Sequence, residues 1–240
     1  MSFWGIFFNR SKQINFNGFT DWHSHILPGV DDGVQTMDDA LVILSEYEQL
    51  GFRKVWLTPH IMEDVPNEVE NLQKIFTELK EKHTGTIELH LAAENMMDSV
   101  LFRRLSDNDL LPIGCAGNNL LVETSYFHGP MNFDRIIDRI KTKGYFPLIA
   151  HPERYSYVGS LTEFRRWKAM GCKFQLNLLS LCGFYGERAR HFSYRLLKND
   201  MYDCVGTDIH RLSQVEHLKE LKLSEDIYSH LTRLTQIYNR

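Results

Sequence analysis

Seven short apolar runs in this chain each lead into residue types that ligate metals, and segments of helical period separate them. The runs are Gly18 to His23, Lys54 to Leu57, Ile87 to Ala92, Leu120 to Val122, Phe146 to Ala150, Lys173 to Leu176 and Cys204 to Gly206. At or just after their ends stand His23 with His25, then His60, Glu94, Glu123, His151 and Asn177, and finally Asp208 with His210. Helices are expected at Met37 to Leu50, Glu68 to His83, Ser99 to Leu105, Phe133 to Lys143, Leu161 to Met170 and Arg188 to Lys198. Gly51, Gly144 and Gly171 follow three of these segments, as left-handed helix stops do before a short connection to a strand. Strand and helix in alternation predict a parallel α/β architecture. In a βα barrel the C-terminal strand ends converge on one face, so residues far apart in sequence meet around one cavity. Polar residues open loops in any protein, which accounts for one or two such positions but not for His, Glu and Asp at nearly every strand end.

With 240 residues and 43% hydrophobic content, the chain can bury one sizeable core, and a single domain over 1–240 is expected, residues 1–17 forming an N-terminal arm. A net charge of −4 gives no basic surplus to neutralise a phosphate backbone, so nucleic acid is not an expected partner. Cys115, Cys172, Cys182 and Cys204 form no CxxC pair and no dense framework, which points to a reducing, cytoplasmic setting. The run Phe3 to Phe8, ahead of Arg10 and Lys12, is too short for a signal-peptide core or a membrane span. It is expected to pack on the body or to lie close to a membrane surface.

Asp21-Trp22-His23-Ser24-His25 reads D-x-H-x-H. Alternate residues of a strand share a face, so His23 and His25 can bind one metal together, and Asp21 is expected to orient a ligand from behind. A lone H-x-H is weak evidence. Here a second D-x-H, Asp208-Ile209-His210, follows the last strand with the same geometric property.

The blocks Asp21 to Gly33 (DWHSHILPGVDDG), Thr58-Pro59-His60, Ala93-Glu94, Leu121-Val122-Glu123, Ala150 to Arg154 (AHPER) and Gly206 to His210 (GTDIH) together resemble the PHP superfamily. Within it they are most similar to the bacterial tyrosine-protein phosphatases found with capsule and exopolysaccharide synthesis systems. That resemblance implies a distorted (β/α)7 barrel of TIM type and three divalent metal ions, with manganese, iron or zinc suited to imidazole and carboxylate ligands. It also implies the sets: His23, His25 and Asp208 on one ion, Glu94 bridging to a second held by Glu123 and His151, and Asp32, His60 and His210 on the third. Asp31 is the neighbouring candidate for the place of Asp32. Four carboxylates do not neutralise three divalent ions, so positive charge remains for hydroxide and phosphate oxygens. A metal-bridging hydroxide is the expected nucleophile, attacking phosphorus in line, and Arg154 matches the family's phosphate-facing arginine. The implied substrate is phosphotyrosine on a flexible protein tail, that of a bacterial tyrosine kinase controlling polysaccharide export.

Cys182 to Arg188 fits C-x5-R, the signature of cysteine-based phosphatases, but Glu187 would put a negative charge into a cradle that needs positive potential. His128 is near enough to Glu123 in sequence to reach the cavity, and a loop role is expected. His83, His90, His191, His217 and His230 are read as structural. Tyr126, Phe127, Tyr155, Tyr157, Phe184 and Tyr185 are candidates to line a slot for a phenyl ring. Competing functions are a histidinol-phosphate or other small-molecule phosphatase, since metals recognise phosphate and loops the remainder, and a polymerase-associated nuclease, disfavoured by the acidic balance. An amidohydrolase would lack the closing D-x-H and the HPER block. An inactive phosphoprotein-binding scaffold would not need a complete ligand set.

Overall fold

The computed structural model describes residues 11–114 and 118–238; the aromatic run Phe3 to Phe8 and Cys115 lie outside the described residues. In chain order the elements are β1 (Ser11–Gln13), β2 (Thr20–Ser24), α1 (Met37–Leu50), β3 (Lys54–Leu57), β4 (His60–Ile61), α2 (Val69–Lys82) and β5 (Glu88–Leu91). There follow β6 (Glu94–Met96), α3 (Ser99–Asp107), β7 (Asn119–Glu123), α4 (Phe133–Thr142), β8 (Phe146–Ile149), α5 (Leu161–Ala169) and β9 (Lys173–Asn177). The last are α6 (Leu178–Leu181), α7 (Glu187–Lys198), β10 (Cys204–Gly206), α8 (Leu212–Glu220), β11 (Lys222–Ser224) and α9 (Glu225–Tyr238).

Each of the seven expected runs contains a strand, with ends shifted by a residue or two, as helix and strand limits commonly are. β2, β3 and β5 pair in parallel, and so do β4, β6, β7, β8, β9 and β10 in that order. Only Thr58-Pro59 separates β3 from β4, and only Ala92-Ala93 separates β5 from β6. Proline has no N–H to give to a ladder, so the third strand breaks at Pro59 while its carbonyl still accepts from Glu94 N at 3.1 Å. The whole is a mixed α/β fold whose parallel sheet curls so that the strand ends face a common space.

Helices cover the outside, and their apolar sides close the core. α1 starts at Thr36, whose side chain accepts from Asp39 N, and stops at Gly51 with φ 99°. Trp167 of α5, 2% exposed, stacks on Phe133 of α4 with ring centroids 4.5 Å apart. The second half of the arm packs on the body. β1 pairs antiparallel with β11, and Phe16 is buried, its ring stacked on Phe52 at 5.0 Å. The partner strand lies at the far end of the chain, so no local pattern in residues 11–16 announces it.

β2 and the turn after β10 meet along a polar seam. Asp208 N donates to His23 O at 2.8 Å and His25 N to Ile209 O at 2.9 Å. Beside them the buried Asp21 carboxylate accepts from Thr207 N (2.9 Å), Thr207 Oγ1 (2.7 Å), Tyr47 OH (3.1 Å) and His23 N (3.1 Å). Asp21 thus bonds the backbone and α1 rather than a histidine ring, so the expected ligand-orienting role does not hold. Burial pushes its pKa up to about 6 despite these donors. Gly206 lies in the same seam: a Cβ there would sit 2.5 Å from His23 Cβ and 3.1 Å from the Gln175 amide.

Gly206→Ala is therefore expected to destabilise the protein by about 1–3 kcal/mol in urea unfolding, the usual cost of overpacking. Gly159→Ala, whose Cβ would meet nothing within 4 Å, serves as the control and should stay within roughly 0.5 kcal/mol. Equal midpoints for the two variants would contradict a tight seam.

Candidate metal centre

Two hydrogen bonds decide what the first two histidines offer. Gln175 of β9 donates its amide N–H to Trp22 O at 3.2 Å, which turns its Oε1 toward His23 Nδ1, 2.6 Å away. His25 Nδ1 lies 2.8 Å from the Asp31 carboxylate. Both partners are acceptors, so both Nδ1 atoms carry the proton and both Nε2 atoms present lone pairs in the neutral rings. Those lone pairs face one another at 3.0 Å. Glu94 Oε2 is 3.2 Å from one and 3.3 Å from the other, and Asp208 Oδ1 is 3.4 Å from each. Acceptors gathered this closely in a buried space require a cation or added protons between them. The titration of His23 expresses the same demand: burial opposes its charge, yet Glu94 and Asp208 outweigh that and raise its pKa to about 9.

All nine residues expected from the sequence lie around this point, and their ligand atoms gather by distance into three groups. One is His23, Glu94, His151 and Asp208; a second is His25, Asp32, His60 and His210; a third is His60, Glu94 and Glu123. His151 thus stands with His23, and His25 with the Asp32 group, although His25 Nε2 also reaches Asp208. Glu94 Oε2 and the Nδ1 atoms of His60 and His151 are buried without a hydrogen-bond partner among the described residues. Orphaned buried acceptors and imidazoles in a nitrogen and oxygen donor set fit divalent transition ions.

The two adjacent aspartates differ sharply. Asp31 is enclosed: besides His25 it accepts from His60 N at 3.0 Å and Gly33 N at 2.9 Å. Burial opposes its charge, but His25 and these donors prevail and lower its pKa to about 2. The Asp32 side chain is 73% exposed, with Oδ1 3.5 Å from His60 Nε2 and 3.6 Å from His210 Nε2. Gly33 makes the turn possible, since a Cβ would come within 2.3 Å of His25 O.

Above the cluster a cleft of about 680 Å³ opens between strand-end loops. Arg154 lines it and holds Asp208 Oδ2 at 2.5 Å. Its guanidinium lies 4.3 Å from the centre of the Tyr126 ring and 3.8 Å from that of Tyr185, a cation–π clamp made by two tyrosines. Asn177 donates to the same Asp208 oxygen at 2.9 Å. Of the six aromatics singled out, Tyr126, Phe127, Phe184 and Tyr185 line the cleft, with Phe127 71% and Phe184 42% exposed. Tyr155 is buried and does not line it, and Tyr157 stacks on Tyr155 outside it. His128 is exposed and is not among the lining residues.

The C-x5-R segment does not build a phosphate cradle. Arg188 turns away to Val158 O at 2.5 Å, and burial raises the Cys182 thiol pKa, opposite to what a nucleophilic thiolate requires. Sequence reading missed Gln175 and Asp31 as the residues that fix the ring tautomers. For Gln175 a signal existed: it precedes Asn177 by two on β9 and so shares its inward face.

Comparison with known proteins adds an independent line. A family described as "Capsular polysaccharide synthesis, CpsB/CapC" matches residues 19–223. Tyrosine-protein phosphatase YwqE of Bacillus subtilis is 27% identical over 197 residues, covering 80% of this chain and 77% of that protein. Tyrosine-protein phosphatase CpsB of Streptococcus pneumoniae is 27% identical over 203 residues, covering 80% and 83%. A crystal structure from work on YwqE and CpsB, described there as unique metal-dependent tyrosine phosphatases, superposes with a TM-score of 0.77 at 24% identity, over 92% of this chain and 94% of that one. The likeness to that structure is one of fold. Since the family match runs without a break from before His23 to beyond His210, the chain belongs to the CpsB/CapC family of capsular polysaccharide synthesis.

Proposed function

We propose that this protein is a metal-dependent protein-tyrosine phosphatase of capsular or exopolysaccharide synthesis, acting on the phosphorylated tail of a bacterial tyrosine kinase. One observation carries the reading: the His23 and His25 lone pairs meet at 3.0 Å among buried carboxylates, in a cluster whose His60, Glu123 and His210 line a cleft with an aromatic rim. The names of the relatives favour phosphotyrosine over histidinol phosphate.

His23, His25, Asp32, His60, Glu94, Glu123, His151, Asp208 and His210 are the proposed ligands of three divalent ions, manganese, iron or zinc. Glu94, which like His60 belongs to two of the distance groups and offers two carboxylate oxygens, would be the ligand shared between ions. Asp31 acts from behind, holding His25 and the Asp32 loop in place. When bound, the ions would supply an activated water and neutralise charge on the phosphoryl oxygens. Arg154 adds a guanidinium that Tyr126 and Tyr185 hold edge-on to Asp208, and the fork can grip two phosphate oxygens. A recessed phosphate site suits tyrosine, whose ring carries the ester farther from the backbone than serine does, and a flexible tail clears the rim more readily than a folded surface.

A distorted (β/α)7 barrel is supported by the hydrogen bonds between β2 and the turn after β10. A single domain is supported by the larger of two apolar clusters, into which Ile14, Phe16 and Leu231 all pack. Cys172, Cys182 and Cys204 are free, in keeping with a cytoplasmic setting, and no helix among the described residues is long and apolar enough to cross a membrane.

The direct test compares kcat/KM for matched phosphotyrosine and phosphoserine peptides and for histidinol phosphate. Phosphotyrosine should lead by at least about tenfold, and a chelator or His23→Ala should remove nearly all turnover while Cys182→Ser keeps it. Loss on Cys182→Ser with resistance to chelation would refute the metal mechanism; a tenfold lead for histidinol phosphate would move the substrate.

Arg154→Lys retains charge but not the fork, so kcat/KM should fall by about one to three decades with metal content unchanged. Unaltered kinetics would place Arg154 outside the reaction. Gln175→Leu should weaken metal binding in equilibrium dialysis by about 10- to 100-fold, because His23 loses the partner that fixes its tautomer. Wild-type affinity in that variant would deny Gln175 an orienting role.

A further inference from the structure

The cleft does not end at its aromatic rim. Phe184 lines both the cleft and a neighbouring groove of about 490 Å³, bounded by Arg190, Tyr194, His217 and Lys222. Arg190 and Tyr194 in turn line a further depression of about 270 Å³ that reaches Arg195 and Lys198. The three spaces follow one another, the first two meeting at Phe184 and the last two at Arg190 and Tyr194 of α7. Helical spacing explains it: residues 187, 190–191, 194–195 and 198 recur every three or four positions and so share one face of the helix. That face is basic, because Glu187 is the single acid of α7.

The carboxylates nearby do not cancel it. Glu187 pairs with Arg190 at 2.9 Å and Asp226 with Lys198 at 2.5 Å, while Glu220 lines the groove. Among the described residues, neither Arg195 nor Lys222 has a carboxylate within ion-pair distance. His191 and His217 add ring nitrogens along the same path. Tyr194 and Phe184 offer apolar surface for the stems between charges.

From this continuity and charge we infer that the α7 track binds the polypeptide flanking the phosphorylated residue and selects acidic residues there. The inference rests on the phosphotyrosine-protein reading and deepens it. The 12 residues of α7 span about 18 Å, at roughly 1.5 Å each. An extended peptide covers that length in about five or six residues. The favoured acids therefore fall within a stretch of about five or six residues, on the side of the phosphotyrosine that leads past Phe184.

The experiment uses the full chain with its metals, and three phosphotyrosine peptides: glutamates before the phosphotyrosine, glutamates after it, and serines on both sides. One acidic peptide should exceed the serine peptide by about five- to tenfold in kcat/KM, expressed mainly in KM, because flanking contacts bind ground and transition states alike. The ratio should collapse toward one in about 0.5 M salt, where screening is short-ranged, and in Arg195→Glu/Lys222→Glu. Should the double variant misfold, Lys222→Gln on the exposed β11 position should still reduce the ratio. An acidic-to-neutral ratio that is one in the wild type, or equal in wild type and variants, overturns the track alone. A wild type that cleaves another phosphomonoester but no phosphotyrosine peptide overturns the underlying function, and the track with it. Binding to anionic lipid vesicles that the same variants abolish, without any peptide preference, would assign the stripe to a membrane surface instead.

Discussion

A buried carboxylate, Asp21, joins three parts of the chain that are remote in sequence: the first long strand, the first helix through Tyr47, and the turn after β10 through Thr207. Four donors converge on two oxygens, and such an acceptor left unpaired in the interior would be costly, so the three parts are committed to one another. The consequence reaches the metal centre at once, since His23 lies two residues beyond Asp21 and Asp208 one beyond Thr207. Candidate ligands that stand far apart in sequence are therefore set by a knot that touches none of their side chains.

Around that knot the polar interior is ordered in shells of unequal freedom. The rings of His23 and His25 are each fixed from behind by an acceptor, so orientation is settled before anything is bound. Asp32 and the rim phenylalanines remain open to solvent. Rigid groups thus sit where the candidate ligand atoms crowd together, and exposed ones along the cleft above them.

Much of this was legible in the sequence, because strand alternation and the position of each ligand at a strand end are local properties. His60, Glu94 and Glu123 needed only the recognition that parallel strands end on one side. Other features depend on contacts that no window reveals. The antiparallel pairing of Ser11–Gln13 with Lys222–Ser224 joins the first described strand to the last. Asp21 bonds a threonine in the last turn instead of a ligand ring, and whether Asp31 or Asp32 faces the cavity depends on a loop with no period. The clamp on Arg154 brings together tyrosines from two different loops, each of which reads in sequence as one more aromatic in a rich chain.

His151 and Asp208 occupy left-handed backbone, with φ of 33° and 56°. Side chains with a Cβ carry a cost there of about 1 kcal/mol that glycine avoids, more for His151 than for aspartate, which tolerates that region better. At both places the strain is maintained by the site the side chain serves. A laboratory selection for thermal endurance alone would therefore be drawn toward glycine at these two positions, enriching robust descendants that lack two of the proposed ligands, whereas a screen for metal-dependent turnover would, on the proposed function, keep the uncomfortable residues.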